Sequence, residues 1–349
     1  MKYLVNLSLI LLLALSSCSS DGKKANGKDD SSGEKVNVYT HRNNDADKEL
    51  FAQFEKETGI KVNVVNDEAD KLIRKIESEG ESSTADVLIT SDAGRLVSVQ
   101  NKGLFQAINS EKLNSSIPVK YRDSEGHWYG LTKRARVFIY NPEMVSASDL
   151  STYQDLAEPK WEGTIAASSS SSVYNQTLMA SIIAHSNMEE ATTWAKKLVS
   201  NLYADPSGDD KDQIKAAYNG DAKVAIANSY CLGLMRKSND PEEKKIAKSM
   251  KIHFPNSRTT GTHVNISGGG VCKNAPNKDN AIKFLEFLAS KEAQGKFGSA
   301  NSEYPVNPEA GTSAFLMLMG DFSEDKLNLA DLGNLNRQAI QAFDAVGWK

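Results

Sequence analysis

Chemistry-bearing residues are scarce in this chain. It holds three cysteines and five histidines in 349 residues, and His41, His127, His185, His253 and His263 are scattered without the spacing of a metal site or a catalytic pair. A histidine so placed is ordinarily a surface or satisfied structural residue. There is no G-x-S-x-G, no H-E-x-x-H, no P-loop and no G-x-G-x-x-G after a strand. The sequence therefore gives an enzyme reading no support, and the chain is expected not to be an enzyme. Charge of one sign is also lacking: the formal net charge of −4 supplies no basic face for nucleic acid. Long apolar runs are missing too. The one candidate, residues 4–15, stops well short of the roughly 20 residues needed to cross a bilayer. A composition of 40% hydrophobic and 25% charged residues is ordinary for a globular protein, and this length makes one or two domains.

What is present begins at the N-terminus. Lys2, the apolar stretch 4–15 and the tetrad Leu15-Ser16-Ser17-Cys18 form a positive start, an h-region and a small-residue cleavage site. A cysteine directly after such a site is the bacterial lipobox pattern, so residues 1–17 are expected to be a signal peptide and Cys18 a lipidated N-terminus. Residues 18–34, rich in Ser, Asp, Lys and Gly, cannot bury a core and read as a flexible tether. The mature chain is expected in the bacterial cell envelope, lipid-anchored on the periplasmic or cell-surface side, and monomeric. Cys231 and Cys272 are left as an even pair in a compartment that permits disulfides.

From about residue 35 the pattern alternates. Residues 36–39 read as a strand, followed by a helix carrying Leu50, Phe51 and Phe54 and stopped by Gly59. A strand at 60–65, a helix with Leu72, Ile73 and Ile76, a strand at 85–90 and a helix ending at Gly103 complete the first block. A second block has strands at 136–140, 161–166 and 223–228, and helices at 189–199 and around 214–218. A long β segment at 262–271 and a helix from about 279 to 298 follow. The fold class is α/β, and two such lobes form a cleft where strands end and helices start.

Two segments within the second block stand out. Ser168–Ser172 precede Val173-Tyr174-Asn175 and an apolar helix, which places hydroxyls and free backbone N–H groups at a helix start. They suit an anion, with Ser169 and Ser170 as candidates, or merely cap the helix. Asn228-Ser229-Tyr230-Cys231 follows an apolar strand. A phenol at a helix start lies in positive potential, and phenolate is a hard oxygen ligand suited to a highly charged cation. A tyrosine packed for its ring is the alternative.

Residues 38–42, 45–62, Ala85-Asp86-Val87 with Asp92-Ala93-Gly94-Arg95-Leu96, 130–136, 173–178, 212–214, 225–230, 261–267 and 303–307 resemble the periplasmic ferric-iron-binding proteins of ABC importers, the iron-binding branch of extracellular solute-binding protein family 1. The resemblance implies a two-lobed periplasmic-binding (type II solute-binding) fold with hinge strands near 134–138 and 260–264. Lobe 1 would comprise 35–135 plus 262–306, and lobe 2 would comprise 136–261 plus 307–349. It also implies a Fe3+ cargo, with or without a synergistic anion, and a permease with its ATPase as partners.

Of the family's iron ligands, Tyr174 and Tyr230 match. Cys231 stands where a second adjacent tyrosine is expected, and Asn43 and Asn44 stand where a His-Tyr pair would follow Tyr39-Thr40-His41-Arg42. Ser168 and Ala204 stand where arginines are common in the family. Tyr39, His41, Asp92 or a bound anion are the candidates to complete the donor set, with Arg42 and Arg136 to hold the anion. Cys231 and Cys272, both in place of other family residues, are a candidate disulfide or, for a softer metal, a thiolate pair. The substitutions also fit a paralogue that takes a chelate, another metal or an organic anion. An exported enzyme or sensor on the same lobes is the rival of another class.

Overall fold

The computed structural model describes residues 34–42 and 45–349. The expected signal peptide, Cys18 with its tether, and the Asn43-Asn44 pair lie outside the described residues. The strands are β1 (Lys35–Thr40), β2 (Lys61–Asn66), β3 (Val87–Ser91), β4 (Tyr129–Tyr140), β5 (Ile165–Ala166), β6 (Val224–Asn228), β7 (Lys251–His253), β8 (Val264–Val271) and β9 (Tyr304–Pro305). They form one curled sheet in the order β2-β1-β3-β8-β4-β6-β5, with β7 and β9 also paired to β4.

Strands β1, β2 and β3 run parallel, as their crossover helices require. The helix Asp45–Thr58 carries Asp45 and Asp47 in its first turn, buries Leu50, Phe51 and Phe54, and ends before Gly59 at φ 73°. Phe54 meets Phe284 of the helix Lys278–Leu288 edge-on at 5.1 Å. Strand β8 then enters antiparallel between β3 and β4. Its Gly268-Gly269-Gly270 run allows close approach there, since a Cβ at Gly269 would sit 2.8 Å from the Leu88 carbonyl oxygen.

Strand β4 spans 12 residues and changes partner midway. Tyr129 to Ala135 pair with β8, and Arg136 to Tyr140 pair with β6. Val137, Ile139, Ala225, Ala227 and Leu232 build one apolar cluster, separate from the larger one that contains β1, β3 and Phe284. The partner change in β4 joins the half of the sheet that holds β1, β2, β3 and β8 to the half that holds β5 and β6.

Three expectations fail here. The expected strand at 161–166 is only β5, because Pro159–Trp161 coils into a 3-10 turn first. The single helix expected at 279–298 is two, Lys278–Leu288 and Lys291–Asn301, with Ser290 capping the second through the Ala293 N–H. The C-terminal helices Leu329–Asn334 and Asn336–Val346 were not expected; they bury Leu332, Ala339, Ala342 and Phe343. Among the described residues no helix is long and apolar enough to cross a membrane.

The disulfide expectation is also corrected: Cys231 and Cys272 are both free and buried. Cys272 follows β8 in the larger cluster and Cys231 lies in the other, so each thiol fills a different core.

Candidate functional site

Strands β5 and β6 are parallel neighbours, and each feeds a helix at its C-terminal end. The helix Val173–His185 carries Tyr174 in its first turn, and the helix Ser229–Lys237 carries Tyr230 in its first turn. The shared direction of the strands brings the two phenols together. The Tyr230 hydroxyl donates to that of Tyr174 at 3.4 Å.

Two cavities meet at this pair. The larger, about 530 Å³, is lined by Ser168, Ser169, Ser171, Ser172, Asp209 and Cys231 besides the phenols. The smaller, about 230 Å³, adds His41, Arg42, Ser91, Arg134, Ser267 and Glu303. Residues of both halves of the fold therefore face one cleft. Among the described residues no group of three His, Cys, Asp or Glu side chains could hold a metal ion.

The surroundings set the protonation of these groups. Burial, with Cys231, Tyr174 and Asp210 nearby, pushes the Tyr230 phenol well above its usual range. The potential at the helix start does not overcome this, so Tyr230 holds its proton at neutral pH. Burial, with Arg42, Arg95 and Arg134, lowers His41 to about 4, so its ring is neutral near pH 7. Its Nδ1 is buried with no hydrogen-bond partner, which leaves a lone pair or an N–H for a ligand.

Arg134, 2% exposed, stands beneath Tyr174 with Cζ 5.2 Å from the ring centroid. Its Nη2 reaches Asp92 Oδ2 at 3.4 Å, but Nε and Nη1 are buried without partners. Two unused donors of a planar fork at a cavity wall suit an oxyanion. Sequence reasoning missed Arg134, whose signal was present: a charged residue inside an apolar strand, in phase with Arg136.

Several candidates are placed elsewhere. Tyr39 packs in the core with its hydroxyl 3.3 Å from Thr84 Oγ1, because β1 turns it away from the cleft. Asp92 is buried and spent: it caps the helix Ala93–Asn101 through the Gly94 N–H and accepts from Asn265, Thr177 and Arg134. Arg136 lines neither cavity. Its fork donates to Asp210 at 2.6 Å and to Asn175 at 2.7 Å, so it is no anion holder. Arg42 lines the smaller cavity but is tied to Asp47 at 3.2 Å and to Glu303 at 3.3 Å.

Ser169 lines the larger cavity, and its hydroxyl pairs with that of Ser171. Ser170 is not among the lining residues; its N–H donates to the Lys349 carbonyl. Cys231 lines the cavity, but burial and Asp210 push its thiol well up, so it is no ready thiolate.

This geometry defines a two-lobed α/β protein with a ligand cleft at the join of its halves, the class of the solute-binding proteins. The chain belongs to the bacterial extracellular solute-binding protein family, whose model matches residues 49–325. Two curated relatives come from Synechocystis sp. (strain ATCC 27184 / PCC 6803 / Kazusa). Iron uptake protein A1 is 42% identical over 96% of this chain and 93% of its own. Iron uptake protein A2 is 43% identical over 90% of each chain. Among solved structures, Trichodesmium IdiA (FutA), in complex with iron and citrate ligands, superposes with a TM-score of 0.88 at 48% identity. That match covers 90% of this chain and all of the other.

Proposed function

We propose that this chain is the cargo-binding component of an iron importer. It captures ferric iron between its lobes and presents the closed form to a permease driven by an ATPase. In this reading it performs no reaction, and lipid on Cys18 keeps it at the membrane. The hinge is the stretch of β4 around Ala135–Arg136, where the strand leaves β8 for β6. One observation carries the proposal. Two phenols lie 3.4 Å apart in a cleft that also holds a neutral histidine nitrogen and two unpaired guanidinium donors. Tyr174 and Tyr230 would bind the metal as phenolates, with His41 as a neutral donor. Arg134 would hold an anion arriving with it, which offsets the charge that two phenolates leave on a trivalent ion. The iron relatives support the cargo.

The test is addition of ferric citrate to the purified chain. A visible phenolate-to-iron charge-transfer band is expected, and Tyr230→Phe abolishes it while circular dichroism stays unchanged. Binding weakens as pH falls, because both phenols must give up protons to the metal and burial holds that of Tyr230 tightly. A wild-type chain that shows neither band nor retained iron overturns the cargo assignment.

A further inference from the structure

The helix Ser229–Lys237 presents Tyr230, Gly233, Leu234 and Lys237 at the spacing of a single face. Tyr230 and Leu234 line both cavities. Gly233 packs so closely on Ser302 that an added Cβ would overlap the serine side chain and lie 2.6 Å from Cε1 of Phe315. One turn on, Lys237 Nζ donates to the carbonyls of Ser299 and, at 3.2 Å, Ala300. These belong to the last turn of the helix Lys291–Asn301, where carbonyls have no helical partner and partial negative charge collects. Ser302 closes that helix in the left-handed region at φ 57°, fully buried against Gly233.

The two helices sit on opposite sides of the partner change in β4. Ser229–Lys237 continues from β6, which pairs with β4 from Arg136 onward. Lys291–Asn301 leads into β9, which pairs with Thr132 and Lys133. A contact between them is thus a contact across the hinge. We propose that the Gly233–Ser302 seat and the Lys237 cap form the latch that holds the lobes together, so the latch as well as the ligating atoms sets how long the cargo stays. The proposal rests on the reading of the cleft as a closing cargo site. Because Tyr230 is on the latch helix, metal capture and latching move as one rigid body.

The test uses the purified chain with ferric citrate as probe, and three variants whose folding is checked by urea midpoint. Lys237→Met is expected to speed iron release to a competing chelator about five-fold. Gly233→Ala wedges the seat and speeds release roughly tenfold or more. Lys237→Arg, which keeps the charge, stays within about two-fold of wild type. At saturation the charge-transfer band is unchanged in all three, since no ligating atom is touched. The radius of gyration is larger in Gly233→Ala and Lys237→Met. Should wild type take up no iron, the cargo reading fails and the latch is judged on ligand-free scattering alone. Larger radii in both variants then support it. Radii equal to wild type in every condition measured, with release rates unchanged wherever iron binds, overturn it.

Discussion

Arg134 and Arg136 are separated by one residue on β4, where the strand leaves β8 for β6, and both lie under the ring of Tyr174. Arg136 gives two nitrogens to acceptors at 2.6 and 2.7 Å, one of them the buried Asp210, and leaves Nε alone without a partner. Arg134 reaches only Asp92, at 3.4 Å, and keeps two nitrogens unpaired. The first arginine joins β4 to two helices, Asp210–Asn219 and Val173–His185, within one half of the fold. The second faces the cleft with donors to spare. Burial alone does not separate a structural charge from one with donors left for a ligand; what separates them is how many of the group's hydrogens already have acceptors.

The largest effect that tests this contrast is on stability. Arg136→Ala leaves Asp210 buried without its cation, retaining the Asn228 N–H donors at 2.8 Å and the Cys231 thiol at 3.8 Å. Removing one partner of a buried pair costs about 3–5 kcal/mol. Urea unfolding should show a loss of that size, and a loss below about 1 kcal/mol would place Arg136 outside the structural class.

A second, half-buried ion-pair cluster gives the next effect. Glu324 accepts from Lys133 at 2.6 Å, from Lys120 at 2.8 Å and from the Tyr121 hydroxyl. Those lysines and the bonds to it outweigh burial and hold its carboxyl at about 2, against an ordinary 4.5. The folded state therefore binds this proton less readily than the unfolded chain. The stabilisation is complete above pH 4.5 and is lost as pH falls toward 2. Integrated over that window it amounts to roughly 3 kcal/mol. Glu324→Gln should flatten the fall in urea midpoint between about pH 5 and pH 3. An unchanged slope would show that other carboxylates carry it.

Much of the fold was legible because its signals are local. Periodicity and glycine stops marked β1, the helix Asp45–Thr58 and β6, each within a residue or two. The placement of both phenols at helix starts was legible as well, since a strand running straight into a helix start is written in consecutive residues. The rest depended on distant partners. Nothing near Tyr39 in sequence says that its hydroxyl will meet Thr84, and nothing near Asp92 says that Asn265 will claim it. The choice between Arg134 and Arg136 turned on Asp210, some 74 residues from Arg136. The cysteine pair failed for the same reason, since an even count says nothing about which core each thiol enters.

The smallest stability effect, and the sharpest discrimination, is expected at Arg134. In Arg134→Ala, Asp92 keeps the Gly94 N–H and the Asn265 amide, both at 2.8 Å, and the Thr177 hydroxyl at 3.3 Å. Burial already pushes the Asp92 carboxyl upward, so without the arginine it can take a proton instead of standing as an unpaired charge. The loss of stability should then be about 1 kcal/mol, well under that for Arg136→Ala. Ligand binding should suffer far more. Losing a charge-assisted fork to an oxyanion is worth about 1.5–3 kcal/mol, or roughly a tenfold to hundredfold fall in affinity for ferric citrate. Arg134→Lys restores the charge without the fork and should recover only part of it. Calorimetric titration beside urea unfolding separates the two roles. If Arg134→Ala unfolds as readily as Arg136→Ala while its folded fraction binds ferric citrate like wild type, both arginines are structural and the cleft's anion must be held by other donors.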